Sequence, residues 1–273
     1  MEITEKLEGL KQNLAQLQRV AVAYSGGVDS TFLLWVAREV LGDGAVAVTA
    51  QLQSFPGHEL AETKRFCREH GIRQIICEID ELKLEKFREN PPDRCYYCKK
   101  HIFSEMSRVL REQGDYVLVE GSNVDDASDY RPGARAIREL GVKSPLQDAR
   151  LTKNEIRMLS KQMELPTWDK PSCACLASRF AYGETITAEK LSAVETAENF
   201  LHELGFHQLR VRVHESLARI EVLPREIPWL FEDSNRTRIT ERLQGLGFSY
   251  VTADLLGFRS GSMNECLHLE GNE

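Results

Sequence analysis

With 273 residues and 42% hydrophobic side chains, the chain can fill one large core or two modest ones. Its net charge of -7 argues against broad binding to nucleic acid, which relies on clustered lysines and arginines neutralising phosphates. No apolar run approaches the ~18 residues that span a bilayer, and the opening MEITEKLEGLKQNLAQLQ lacks the basic-then-apolar order of a secretion signal. The expectation is a cytoplasmic protein with no membrane association and no stable nucleic acid complex.

Ile3, Leu7, Leu10, Leu14 and Leu17 recur at helical spacing and predict an opening helix. The apolar run Val20 to Tyr24 is too short for a helix and stops at Ser25-Gly26-Gly27. Phe32, Leu33, Val36, Ala37 and Val40 then mark a second helix up to Gly42-Asp43-Gly44. The alternation continues with strand 45–50, helix 58–70, strand 74–79, a helix around 99–113 and strand 116–120. Strands alternating with helices predict an α/β, Rossmann-like parallel sheet covered on both faces. Ligands of such sheets sit beyond the carboxyl ends of the strands, so 25–30, 51–54 and 121–126 should converge on one edge.

After a Pro- and Cys-containing stretch, the pattern changes. A helix over 187–204 is followed by QLRVRVH, where Leu209, Val211 and Val213 share one face and Arg210, Arg212 and His214 the other. ARIEV alternates likewise, and a helix through 236–244 and a strand over 249–253 complete a small α+β unit with one polar sheet face. The expected organisation is a nucleotide-binding domain over 1–165, a connector over 166–186 and the α+β domain over 187–273. The last dozen residues read as a frayed tail.

The loop Ser25-Gly26-Gly27-Val28-Asp29-Ser30 has the setting of a phosphate cradle but no Gly-Lys-Ser/Thr. Its glycines let backbone N–H groups turn inward, and the following helix adds its positive end. Asp29 would repel phosphate directly, yet it can hold a Mg²⁺ that bridges phosphate oxygens. A plain glycine turn is the bland alternative.

Seven cysteines, odd in number and uneven in spacing, do not suit a secreted disulfide framework. Cys67, Cys77 and Cys266 read as small buried hydrophobes. Cys95-x-x-Cys98 and Cys173-x-Cys175 stand apart. Four thiolates suit a closed zinc site, three suit an iron-sulfur cluster with one open iron, and a redox pair or an inert buried set also fits; residue types alone leave these open. Arg210 and Arg212 can clamp phosphate or carboxylate with planar forks, unless they form only a solvated charged face.

The opening loop is similar to the pyrophosphate loop of the N-type ATP pyrophosphatases (PP-loop enzymes), which split ATP into AMP and pyrophosphate and adenylate a substrate oxygen. GMP synthetases, NAD synthetases and tRNA-thiolating enzymes share that loop, so it does not name the acceptor. PPDRCYYCKKHIF, WDKPSCACLASRFAYGETIT, VEGSNVDD, RPGARAIRELGVKSPL and RVRVH together resemble the LarE family of sulfur transferases, over about residues 5 to 260. That resemblance implies ATP- and Mg²⁺-dependent adenylation of a carboxylate of pyridinium-3,5-biscarboxylic acid mononucleotide, then replacement of oxygen by sulfur, during synthesis of a nickel-pincer cofactor.

The resemblance also implies residue roles. Cys175 matches the sulfur-bearing cysteine, and Cys95, Cys98 and Cys175 match members that hold a 4Fe-4S cluster and deliver sulfide repeatedly. Other members sacrifice the sulfur of a single cysteine and are left with dehydroalanine. Ser178, Arg179, Glu198, Arg210, Arg212 and Glu221 match positions that bind substrate, phosphate or metal; Glu120, at a strand end, is a further candidate. Cys173 is taken as a bystander. A sulfide donor and a homo-oligomeric state are implied as well. The alternatives are a tRNA-thiolating PP-loop enzyme and a zinc-stabilised nucleotide-binding module.

Overall fold

The computed structural model describes residues 2–128, 132–171, 174–259 and 261–264, so Cys173 and Cys266 lie outside the described residues. The chain divides into two compact units, one taking Met1–Leu84 and Asp93–Cys173 and the other Glu85–Pro92 and Ala174–Glu273.

In the first unit helices and strands alternate as the periodicity predicts: α1 (Ile3–Leu17), β1 (Val20–Ala23), α2 (Val28–Leu41), β2 (Ala45–Gln51), α3 (Gly57–Glu69) and β3 (Gln74–Glu78). A one-turn helix, α4 (Glu85–Arg88), belongs to the second unit. The first unit resumes with α5 (Arg94–Gln113), β4 (Val117–Val119), α6 (Pro132–Glu139), α7 (Pro145–Asp148) and α8 (Lys153–Gln162).

The sheet is parallel throughout, in the order β3-β2-β1-β4. Its strands are continuous apolar runs because both faces are buried. Val20, Val22, Ala45 and Ala47 pack with Leu10, Leu14, Phe32, Leu33 and Ile156 from α1, α2 and α8. Ala21, Val46, Val48 and Leu118 pack on the other side with Phe103, Met106 and Leu110 of α5. Strand order reverses at β1, so the crevice beyond the ends of β1 and β4 is the topological switch point.

Two glycines shape that crevice. Gly26 has φ +74°, which a side chain rarely tolerates, and a Cβ there would lie 3.0 Å from Thr63 Cγ2. At Gly121 a Cβ would lie 3.1 Å from the Ser30 nitrogen, so glycine lets the loop after β4 touch the first turn of α2.

The second unit contains α9 (Ala188–Glu203), β5 (Leu209–His214), β6 (Leu217–Val222), α10 (Ile227–Leu230), α11 (Asp233–Gly245) and β7 (Tyr250–Ala253). Thr187 caps α9 by accepting from the Lys190 N–H. β5 and β6 run antiparallel, β6 and β7 parallel. Leu209, Val211, Val213, Ala218, Ile220 and Val222 are buried along the strands, as are Leu191, Val194, Ala197 and Leu201 along α9.

The structure departs from expectation in three places. α5 begins at Arg94, before Lys99, which puts both Cys95 and Cys98 inside the helix. α6, α8 and the one-turn helices α4, α7 and α10 are additional to the helices that the periodicity predicts. Of the tail expected to fray from residue 262, 265–273 lie outside the described residues, and Ser262–Asn264 make a single turn in which Ser262 is only 6% exposed. Its hydroxyl is hydrogen-bonded to a buried ion pair, which fixes it.

Replacing Gly26 by alanine should lower unfolding free energy by about 1–2 kcal/mol, the cost of a left-handed residue. Gly9, in α1, has nothing within 4 Å of the place a Cβ would take, and Gly9→Ala should raise stability by up to ~1 kcal/mol. Urea denaturation of the two variants checks both signs.

Candidate functional site

The loop after β1 is held by its own hydroxyls. The Ser25 N–H donates to Ser30 Oγ at 3.3 Å, and Ser30 Oγ donates to the Gly27 carbonyl at 3.2 Å. Ser25 and Ser30 hydroxyls lie 3.2 Å apart. Val28 opens α2, whose unsatisfied N–H groups and positive end face this turn.

Asp29, in the first turn of α2, receives two donors from distant parts of the chain. Lys153 Nζ lies 2.5 Å from Oδ2, and Asn123 Nδ2 donates to Oδ1 at 3.3 Å. The loop after β4 organises both. Asn123 Oδ1 accepts from the Asp125 N–H at 2.9 Å, and Asp125 Oδ2 accepts from the Lys153 backbone N–H at 2.8 Å. Thr152 and Glu155 form a capping box that starts α8 at Lys153. Glu120 is 6% exposed and is engaged within this loop system, accepting from the N–H and hydroxyl of Ser122 and the hydroxyl of Ser144.

A second lysine touches the loop. Lys170 Nζ donates to the Gly26 carbonyl at 3.3 Å and pairs with Glu59 at 2.5 Å and Glu62 at 2.7 Å. Burial pulls the Lys170 pKa down, but the hydrogen bonds to Glu59 and Glu62 prevail and hold it above the usual lysine value. Arg157 donates to the carbonyls of Trp168 and Lys170, so the stretch around Lys170 is tied to α8. A cavity of about 530 Å³ opens beside Tyr24, Gly26, Phe66 and Lys170.

Neither lysine stands out in the sequence. The Thr-Lys-Asn-Glu capping signature ahead of Ile156 and Leu159 is the available signal for Lys153. Lys170 has no local signal, since its partners lie more than a hundred residues away.

The cysteines sort by exposure. Cys95 and Cys175 are exposed and Cys98 is half-buried, whereas Cys67 and Cys77 are buried. Burial pushes the Cys67 thiol up to about 12 and raises Cys77. Cys95 and Cys98 share one face in the first turns of α5. At Gly133 a Cβ would lie 3.3 Å from the Cys95 carbonyl, so α6 presses directly on this turn. Cys175 precedes a short turn, Leu176–Arg179, in the second unit. Among the described residues no three His, Cys, Asp or Glu side chains gather into a metal-ligand group.

Arg179 holds the Cys175 backbone. Its NH1 donates to the carbonyls of Ala174 at 2.7 Å and Cys175 at 3.1 Å and to Ser178 Oγ at 3.0 Å. Its Nε and NH2 form a two-point pair with Glu198, which also accepts from the Val211 N–H at 2.9 Å. This buried fork anchors the cysteine turn to α9 and β5.

The polar sheet face is only partly solvated. Arg212 is 5% exposed and Glu221 fully buried, paired at 2.9 Å. Arg212 NH1 donates to the Ser178 carbonyl at 3.0 Å. Arg210 lies opposite Glu221 in the strand register, half-buried, with its guanidinium over the Phe258 ring. The pairing explains why a charged strand face tolerates burial.

Alkylation at pH 8 followed by peptide mapping should label Cys95 and Cys175 in the native protein. Cys67 should label only on unfolding, and prompt native labelling of Cys67 would contradict its assignment to the core.

No protein-family model matches the chain. It is 41% identical over 265 residues to the uncharacterized protein slr1717 of Synechocystis sp., covering 97% of this chain and 99% of that one. It is 39% identical over 257 residues to the pyridinium-3,5-bisthiocarboxylic acid mononucleotide synthase of Lactiplantibacillus plantarum, covering 93% of this chain and 92% of that one. The glutamine-hydrolyzing GMP synthase of Aeropyrum pernix is 24% identical over 289 residues, covering 88% of this chain and 56% of that one. A Ser-Gly-Gly-x-Asp-Ser loop at the switch point of a parallel sheet, together with similarity along nearly the whole chain, places this protein in the LarE family of the PP-loop ATP pyrophosphatase superfamily.

Proposed function

We propose that the protein uses ATP to activate a carboxylate of pyridinium-3,5-biscarboxylic acid mononucleotide and converts it to a thiocarboxylate. The observation that carries this reading is the Asp29 site, where a helix end behind a glycine loop presents one carboxylate to Lys153 and Asn123. The relative from L. plantarum, by its name, supplies the substrate class.

A carboxylate resists substitution because its oxygen is a poor leaving group. Attaching AMP to that oxygen makes a good one, and pyrophosphate departs. In this scheme the N–H groups from Ser25, Gly26, Gly27 and Val28 and the hydroxyl of Ser30 hold the pyrophosphate. Asp29 suits a Mg²⁺ ion in kind, as a half-buried carboxylate beside the phosphate cradle, and the ion would neutralise phosphate charge. Lys153 then turns from Asp29 to phosphate, giving the loop the cation that its own sequence omits.

If no cluster is held, the Cys175 thiolate would displace AMP from the acyl carbon and form a thioester that surrenders its sulfur once; as one of three cluster ligands, Cys175 would instead help hold the group that supplies the sulfide displacing AMP. Arg179 and Glu198 position its turn, Ser178 lies beside it, and Arg210, Arg212 and Glu221 form the site for the substrate's phosphate. Glu120 acts on the loop after β4 through its serine partners. Cys95, Cys98 and Cys175 suit a 4Fe-4S cluster in kind, as three thiols of which two are exposed and two share one helix face. Such a cluster would supply sulfide at its open iron. The chain would work as a homo-oligomer in the cytoplasm and be reloaded by a sulfide donor.

Protein purified without oxygen should carry iron and sulfide, and with ATP and the dicarboxylate mononucleotide it should release pyrophosphate and form thiocarboxylate over many turnovers. A Cys95→Ala, Cys98→Ala variant should lose the iron and the repeated turnover. Zinc without iron would sink the cluster assignment. One turnover followed by dehydroalanine at position 175 would show the sacrificial route, and absence of pyrophosphate release would remove the adenylation scheme.

A further inference from the structure

The arginine face of the second sheet is covered by the segment after β7, through residues 257–259 and 261–263. After β7 the chain turns at Gly257, which has φ +71° and sits where a Cβ would lie 2.6 Å from the Val222 carbonyl. The Phe258 N–H donates to that same carbonyl at 2.7 Å, pinning the turn to β6. From there each arginine of the face meets a residue of the segment. Phe258 lies under the Arg210 guanidinium, 5.2 Å from ring centroid to Cζ. Ser262 Oγ accepts from Arg212 NH2 at 3.0 Å and donates to Glu221 Oε1 at 2.8 Å. The Met263 sulfur accepts from Arg219 NH2 at 3.7 Å. Arg259 and Arg219 both pair with Asp254, at 3.1 and 2.8 Å.

A guanidinium has five N–H donors. Arg212 gives Nε and NH2 to Glu221, NH1 to the Ser178 carbonyl and NH2 to Ser262. A phosphate needs two adjacent donors for a fork, and only one N–H of Arg212 is left. Glu221 is fully buried and fixed in mid-strand, and the Ser178 carbonyl is fixed by the turn that carries Arg179. Ser262 is the neutral partner, near the end of the chain, and giving it up separates no charges.

We propose that the C-terminal segment is a strap over the Arg210 and Arg212 face, and that a phosphate monoester binds there by displacing the Ser262 hydroxyl from Arg212. This rests on the reading above, in which that face takes the substrate's phosphate. The strapped form is the closed state of that site. Phosphate binding and strap release are therefore linked, and the fraction of molecules with the strap released sets the apparent affinity.

Nicotinate mononucleotide, a pyridinium mononucleotide with one carboxylate, is a suitable probe on the full-length protein. Ser262→Ala removes both hydroxyl bonds with little change in volume and should lower the probe's Kd roughly tenfold, as expected when a closed state worth ~1.4 kcal/mol is relieved. In the wild-type protein, saturating probe should speed amide hydrogen exchange around Ser262. Arg212→Gln should abolish binding. If Ser262→Ala binds the probe more weakly or equally, or if exchange around Ser262 slows on binding, the strap is wrong and Ser262 merely supports Arg212. If Arg212→Gln binds as well as wild type, or neither wild type nor Ser262→Ala binds at millimolar probe, the phosphate reading of this face fails and takes the strap with it.

Discussion

The polar edge of the first unit turns on one ion pair, Asp29 with Lys153. A carboxylate at the head of a helix is favourable against the helix dipole, but the proposed reaction asks the same place to receive a polyanion. The chain meets both needs by bringing a lysine from α8 to the carboxylate, 2.5 Å away. Much of the surrounding structure serves that approach. Asp125 fixes the backbone of Lys153, Asn123 takes the other oxygen of Asp29, and Gly121 lets the β4 loop reach α2. Glu120, with its serine partners, stiffens the start of that loop.

The second unit handles charge differently. Its arginines are spent on buried partners: Arg179 on Glu198 and the Cys175 turn, Arg212 on Glu221, Ser178 and Ser262. A buried ion pair contributes little net stability once desolvation is counted, and removing one partner is costly because the other is stranded. The return is geometric. A cysteine on an exposed turn would wander, and the Arg179 fork holds its carbonyl while leaving the thiol accessible. The link from Ser178 to Arg212 joins that turn to the sheet face beneath the C-terminal segment.

The parallel sheet and its switch point are legible in the sequence because apolar runs alternating with helical spacing admit few arrangements. The glycine loop after β1 and the shared helix face of Cys95 and Cys98 are legible because glycine and cysteine spacings are local signals. What the sequence hides is pairing over distance. Lys153 reaches Asp29 across 124 positions, and Lys170 reaches Glu59 across 111. Alternation along RVRVH correctly puts Arg210 and Arg212 on one face, but cannot tell a solvated face from a buried one. That depends on Ser262, in a stretch whose composition suggests fraying. α8 escapes the periodicity despite its capping box, since its polar face dilutes the apolar pattern to Ile156 and Leu159.

The central claim is that Lys153 supplies the positive charge that an ordinary phosphate loop carries within itself. Calorimetric titration of a Lys153→Met variant with Mg²⁺ and a non-hydrolysable ATP analogue, set beside AMP, tests it most directly. Loss of a charged hydrogen bond to phosphate predicts roughly ten- to hundredfold weaker binding of the ATP analogue, with AMP affinity little changed. Equal ATP-analogue affinity in the variant and the wild type would contradict the claim.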